Sequence, residues 1–276
     1  MVYNEKDFFN EMARKYQENA VLVPQASRLR NLIIDKAMKR GLLSQLKSLR
    51  HMTILEVGCG VGRWTRIMSI SNLVVAMDIS REMIRISKDA CKNERQVFLV
   101  ADAAFLPFKE DIFDLVISIT VLQHILELER LSRSIYEICR CSKVYVILFE
   151  EMWSNKELLL EKGFCPIRIR PIKNYIKDLQ SAGLHVGSVR GITFSPLMIF
   201  FIRLFAFTDF SQKEARISEF RNSKVFAWLF HSLMGISILP GVFMPKRNYL
   251  PCLSLHTMIL ANKLDYLKEA ETALQY

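Results

Sequence analysis

Between residues 53 and 151, five short apolar runs alternate with segments of helical period, and this alternation constrains the fold more than any other feature of the chain. The runs are TILEV (53–57), LVVAMDI (73–79), QVFLVADA (96–103), FDLVISI (113–119) and KVYVILFEE (143–151). Strands that are apolar along nearly their whole length are buried on both faces, the habit of parallel sheets covered by helices on each side. The intervening segments predict helices over 62–70, 81–93 and 127–140. In the second, Met83, Ile84, Ser87 and Cys91 recur at helical spacing behind Ser80, a serine placed to cap the first turn. In the third, Leu128, Leu131, Ile135 and Ile138 form the inward stripe.

Ligands of open α/β sheets bind beyond the carboxyl ends of the strands. Those ends carry Gly58-x-Gly60-x-Gly62, then Asp78, then Asp102, then Thr120 to His124, then Glu150 and Glu151. The glycine stretch reads ILEVGCGVGRWT (54–65). A dinucleotide fingerprint would place its third glycine at position 63, where Arg63 stands, and a phosphate loop would continue into Gly-Lys-Ser/Thr, which is absent. Glu56 would repel a pyrophosphate but can accept hydrogen bonds from a cationic amino group. Asp78 follows Gly58 by 20 residues, the spacing at which an acid takes ribose hydroxyls, and Asp102 is placed to meet an exocyclic amine. An amino-acid end, a ribose and an adenine amine on one ligand describe S-adenosyl-L-methionine.

On these residues the chain resembles the class I S-adenosylmethionine-dependent methyltransferases over about residues 50 to 151. The motifs are LEVGCGVG, VVAMDIS, VADAAFLPF and FDLVISITVLQHI; the last, with FLPF and DIFD before it, looks most like the branch that includes ubiquinone and menaquinone biosynthesis enzymes. The resemblance implies a doubly wound, mostly parallel seven-stranded sheet with helices on both faces. The chain is expected to divide into an N-terminal helical cap (1–50), a Rossmann-like core (51–194), an apolar helical insertion (195–250) that departs from the family pattern, and a last, antiparallel strand with a tail (251–276) that completes the core. It also implies a cofactor site made of Glu56, Gly58, Cys59, Gly60 and Gly62, Asp78 with Ile79, Asp102 with Ala103, and Thr120 with Gln123.

Methyl transfer from a sulfonium is an in-line displacement from an already activated donor, so positioning and exclusion of water supply much of the catalysis. A general base is needed only for a poor nucleophile. His124 is a candidate base or a piece of the cofactor wall; His256 in CLSLHTMILANK (252–263) reads as a packed strand residue; and of the adjacent Glu150 and Glu151 only one can face a given side of the sheet. No residue is assigned as catalytic. SITV stands where an Asn/Asp-Pro-Pro-aromatic or a Pro-Cys element would follow the fourth strand, which disfavours adenine N6, glutamine amide and cytosine C5 as targets. The six cysteines lack paired CxxC spacing, so no metal site is expected and the thiols suit a reducing compartment. The charged N-terminus does not read as a secretory signal, and the expected location is the cytoplasm.

The flanks should decide the acceptor. Residues 7–43 read as two helices broken near Pro24, with Phe8, Phe9, Met12 and Tyr16 on one face; in the resembled family such a helix closes over the cofactor, which makes Tyr16 and Arg28 contact candidates. After the segments 171–183 and 184–194, about fifty-five residues intervene before the last strand. They hold two apolar blocks, 196–207 and 225–244, joined by the charged 209–224. A membrane span over 225–244 would strand the last strand on the far side, and His231, Gly235 and Pro240-Gly241 interrupt it. The expectation is a lid over the acceptor, in water or lying in a membrane interface. Residues 51–150 carry 12 Lys and Arg against 13 Asp and Glu, while residues 1–50 carry 10 against 5 and residues 151–276 carry 16 against 10. Basic flanks around a neutral core suit an anionic partner: a membrane surface, a phosphorylated metabolite or nucleic acid. The expected acceptor is an apolar or amphiphilic small molecule such as a quinone precursor, a lipid or a lipid-linked glycan. RNA, or a cofactor-binding role without catalysis, is the alternative.

Overall fold

The computed structural model describes residues 3–17, 28–47, 49–152, 156–160, 165–192 and 256–263. Its strands are β1 (Thr53–Val57), β2 (Leu73–Asp78), β3 (Gln96–Val100), β4 (Phe113–Ile119), β5 (Ser142–Glu151), β6 (Leu158–Leu160), β7 (Ile167–Ile169), β8 (Leu184–Gly191) and β9 (His256–Lys263). Seven form one sheet in the order β3-β2-β1-β4-β5-β9-β8, in which β9 runs antiparallel to both neighbours and the pairs from β3 to β5 are parallel. Leu55 of β1 lies in register with Val75 and with Val116, so the chain leaves β1 between the ends of β2 and β4, at the point where the strand order reverses.

The helices are α1 (Glu5–Tyr16), α2 (Arg28–Leu46), α3 (Thr65–Met68), α4 (Arg81–Ala90), α5 (Leu128–Cys141) and α6 (Ile172–Ser181). On one face of the sheet Leu131, Ile135 and Ile138 of α5 and Tyr175 and Leu179 of α6 pack with Val116, Val146 and Leu148. On the other, Met38, Leu42 and Leu46 of α2 and Trp64 and Met68 pack with Leu115, Ile117, Ile147 and Phe149. Alternate residues of β4 and β5 thus enter opposite cores, which is why these strands read as continuous apolar runs. Met12 and Ala13 of α1 meet Met83 and Ile86 of α4, carrying the N-terminal segment to the edge of the site.

Several expectations need correction. The helix read over 62–70 is only Thr65–Met68, because Gly60 and Gly62 take positive φ (53° and 77°) and the backbone stays in a turn until Trp64. The third strand stops at Val100, because Asp102 turns the chain: its Oδ1 accepts from Ala104 N (2.9 Å) and its carbonyl from Phe105 N (3.0 Å). The second helix ends at Ala90, and its start is as read, with Ser80 accepting from Met83 N. The antiparallel pair β6–β7 was not foreseen. Pro24, the insertion 195–250 with its block 225–244, and Cys252 lie outside the described residues. Among the described residues no helix is long and apolar enough to cross a membrane.

Candidate active site

One cavity of about 450 Å³ opens where the strands β1, β2 and β4 end, between the glycine loop, α1 and α2. The loop is held from below: Gly58 N and Cys59 N both donate to Met77 O (2.8 Å each), and Gly60 N donates to Asp78 Oδ2 (2.9 Å). Asp78 Oδ1 accepts from Ser80 N (2.9 Å), so one carboxylate fixes both the loop and the start of α4. Burial raises the Asp78 pKa, while the amides of Ser80, Gly60 and Ile79 pull it back. Gly58 has φ 76°, and a Cβ there would sit 2.2 Å from Val121 Cγ2.

Glu56 lies beneath the loop, 1% exposed, and does not line the cavity. One oxygen accepts from Thr65 Oγ1 and the other, Oε1, is buried with no hydrogen-bond partner. Burial pushes its pKa up to about 8; Thr65 opposes this and the charge of Asp78 adds to it. Gly62 also lies off the cavity, facing Ser87 and Cys91 of and beyond α4. The other nine residues of the sequence-derived set, Gly58, Cys59, Gly60, Asp78, Ile79, Asp102, Ala103, Thr120 and Gln123, all line it.

Asp102 is ion-paired: its Oδ2 accepts from Arg130 Nη2 (3.0 Å), and Arg130 Nη1 donates to Glu5 Oε2 (2.9 Å). This chain of charges ties α1 to the end of β3, and Glu5 and Arg130 both line the cavity. Sequence reasoning missed them, since the partners are 125 residues apart and neither sits in a motif. Thr120 has φ 56°, and Gln123 is buried with its Oε1 accepting from Glu151 N (3.2 Å).

The pleat separates the two glutamates. Glu150 turns to the α5–α6 face, where Oε1 accepts from Ser118 Oγ (3.0 Å), Val121 N (3.1 Å) and Leu122 N (3.2 Å) and so fixes the one-turn helix Leu122–His124. Glu151 turns to the cavity. Burial pushes Glu150 up to about 7 against those hydrogen bonds. Because the folded pKa lies above that of the unfolded chain, the protonated group stabilises the fold at low pH, and the contribution is lost as pH rises from about 4.5 through about 7. The melting temperature of the wild type relative to Glu150→Gln is therefore expected to fall between pH 5 and pH 8; a constant difference across that range would contradict it.

The cavity is also lined by the apolar side chains of Phe8, Phe9, Ile34, Met38, Trp64, Ile119 and Ile167 and by a few further polar groups. Arg63 pairs with Asp35 of α2 and lies over the Trp64 ring, 4.1 Å from its centroid. His124 meets Phe9 edge-on at 5.1 Å, and its Nδ1 is 3.3 Å from Cys165 Sγ. Burial draws the His124 pKa down to about 4 and pushes the Cys165 thiol up to about 11, so both are neutral at physiological pH. His256, on the same surface, has Nε2 3.7 Å from Glu151 Oε1. Tyr16 does not line the cavity; it packs beside Met12 and Ala13. The Arg28 side chain lies outside the described residues. Among the described residues no group of three His, Cys, Asp or Glu side chains could hold a metal ion, and Cys59, Cys91, Cys139, Cys141 and Cys165 form no disulfide.

A doubly wound sheet with an antiparallel strand between β5 and β8, a glycine loop after β1, and acids ending β2 and turning the chain after β3, all around one cavity, is the fold of the class I S-adenosylmethionine-dependent methyltransferases. Residues 55–147 match the family described as a methyltransferase domain. The chain is 34% identical over 104 residues to a tRNA (carboxymethyluridine(34)-5-O)-methyltransferase of Arabidopsis thaliana, covering 38% of this chain and 24% of that one. It is 31% identical over 119 residues to a demethylmenaquinone methyltransferase of Lactococcus lactis, covering 40% and 44% respectively. The chain thus spans less than half the length of these curated relatives. Its fold is similar to that of magnesium protoporphyrin IX methyltransferase from Synechocystis PCC 6803 with S-adenosylmethionine bound, at a TM-score of 0.58 and 13% identity over 95% of this chain and 98% of that one.

Proposed function

We propose that the chain binds S-adenosylmethionine along the glycine-loop side of the cavity and transfers a methyl group to an amphiphilic small molecule seated on the apolar side. The observation that carries this reading is the presence of two chemistries in the lining of one cavity. Backbone of Gly58 to Gly60, Asp78 and Asp102 line it together with the apolar side chains of Ile34, Met38, Trp64, Ile119 and Ile167. The residues fit the donor. Glu56 Oε1 is buried without a hydrogen-bond partner and is close enough to Asp78 to feel its charge, so the floor under the loop favours a cationic ligand.

In this reading the loop backbone and Asp78 with Ile79 hold the amino-acid and ribose parts, and Asp102 with Ala103 borders the base. Once bound, the donor supplies a methyl carbon activated by its own sulfonium charge. The rest falls to the chain: the wall from Thr120 to Ile125 and the apolar side keep water out and set the acceptor in line. Glu56 acts through its charge from beneath the loop rather than by contact.

Two measurements follow. Incubation with methyl-labelled S-adenosylmethionine and a lipid extract is expected to place label in the organic phase; label entering only RNA would overturn the acceptor class, in favour of the reading suggested by the basic flanks and the tRNA-modifying relative. A cationic ligand above Glu56 should also drive off the proton that this carboxyl holds with a pKa of about 8. Proton release on binding at pH 7, read from calorimetric heats in buffers of different ionisation enthalpy, is expected for the wild type. It should vanish in Glu56→Gln, and equal release in both would contradict the role given to Glu56.

A further inference from the structure

Glu151 and His256 form an acid–imidazole pair in the lining of the cavity, to which the methyl-transfer reading gives no role. They are cross-strand partners at the matched ends of β5 and β9. Their side chains are 26% and 7% exposed, with His256 Nε2 at 3.7 Å from Glu151 Oε1. The backbone of the pair is fixed twice: Ile192 N donates to His256 O (2.9 Å), and Glu151 N donates to Gln123 Oε1 (3.2 Å). Phe149 meets the imidazole edge-on at 6.3 Å, so the pair sits in a largely apolar wall where polar groups are costly to bury. The other titratable or charged groups lining the cavity are Asp78, Asp102 with its partner Arg130 and, through it, Glu5, His124 beyond β4, which feels the charges of Glu151 and Glu5, Arg63 of the glycine loop with its partner Asp35 of α2, and Cys165 before β7. Of these, His124 and Cys165 are held neutral by burial, and Arg63 is matched by Asp35. A carboxylate beside an imidazole favours the imidazolium that forms when the ring takes up a proton.

We infer that His256 is the catalytic base that accepts the proton of an O–H acceptor during methyl transfer, with Glu151 as the positioning residue that stabilises its imidazolium. This rests on the methyl-transfer reading and narrows the acceptor to a hydroxyl-bearing amphiphile. As the acceptor oxygen bonds to the methyl carbon, the C–S electron pair stays on sulfur and the O–H proton passes to the imidazole. The sulfonium charge is exchanged for an imidazolium charge, and the ring then returns its proton to solvent. An amine acceptor binding as a free base would not need this pair.

The test uses the full chain, methyl-labelled S-adenosylmethionine and two probe acceptors of nearly equal size, 4-heptylphenol and its more acidic 2,6-difluoro analogue. For 4-heptylphenol at pH 8, His256→Asn is expected to lower kcat by at least about a hundredfold, the span of general-base catalysis, with S-adenosylmethionine affinity unchanged within about twofold. For the difluorophenol, largely ionised at that pH, the loss should shrink to less than about tenfold, because no proton remains to be removed. Equal losses on both phenols would mark a purely structural pair and overturn the inference, as would no transfer to either phenol by a wild type that binds the donor. Failure of the donor to bind at all would instead sink the methyltransferase reading. A readout independent of turnover is the histidine NMR titration of the unliganded protein: Glu151→Gln removes the adjacent negative charge, so the His256 imidazolium should lose its proton at lower pH. An unmoved titration would remove Glu151 from the pair.

Discussion

Gly58→Ala is expected to weaken S-adenosylmethionine binding by at least about a hundredfold. Two costs coincide at this position. The backbone has φ 76°, where an L side chain costs roughly 1–2 kcal/mol, and the new Cβ would lie 2.2 Å from Val121 Cγ2. Val121 cannot retreat easily, because its amide is anchored on Glu150 Oε1 at 3.1 Å. The loop must then move away from the two amide bonds it makes to Met77 O. Together these reach about 3 kcal/mol, which is about a hundredfold in affinity. The double variant Gly58→Ala, Val121→Ala should recover the part due to the clash and leave the backbone part. Gly183→Ala is the control: φ is 83° there too, but nothing lies within 4 Å of the added Cβ, so it should cost about 1 kcal/mol of stability and leave binding alone. Calorimetric titration and thermal melts separate the two effects; equal affinity in Gly58→Ala and wild type would contradict the loop's role.

Asp78→Ala should be more severe for the fold as well as the site. It strips the acceptor from Gly60 N and from Ser80 N, two buried donors for which the loss is about 1–3 kcal/mol each. A drop in melting temperature of several degrees is expected, of the order that a few kcal/mol produces in a domain of this size. At a temperature where the variant is still folded, binding should remain undetectable, because the loop is no longer held and the carboxylate assigned to the ribose is gone. Asp78→Asn keeps one acceptor oxygen and should fall between the two. A variant that melts lower yet binds normally would reduce Asp78 to a structural strut.

Legibility in the sequence followed the range of the interactions. The bounds of β1 and β4 and the Ser80 cap could be read because strand burial and capping are written in neighbouring residues. The nine cavity-lining residues of the site set could be placed because a parallel sheet brings every strand end to one edge. What could not be read depended on distant partners or on very short elements. The pairing of Asp102 with Arg130 and of Arg130 with Glu5 joins three separate segments. The strands Leu158–Leu160 and Ile167–Ile169 are three residues long, too short to show a period. His256 reads in sequence as one polar residue in an apolar strand, and only the register of β9 on β5 sets it opposite Glu151. Glu56 reads in sequence as part of the cofactor site, and the bond of its carboxylate to Thr65 beneath the loop has no signature in neighbouring residues.

The most direct test of the central claim is a calorimetric titration of the full chain with S-adenosylmethionine, carried out in parallel on Gly58→Ala and Asp78→Ala. The account predicts saturable binding at one site in the wild type and its loss in both variants. No saturable binding in the wild type, or the same affinity in all three proteins, would contradict it.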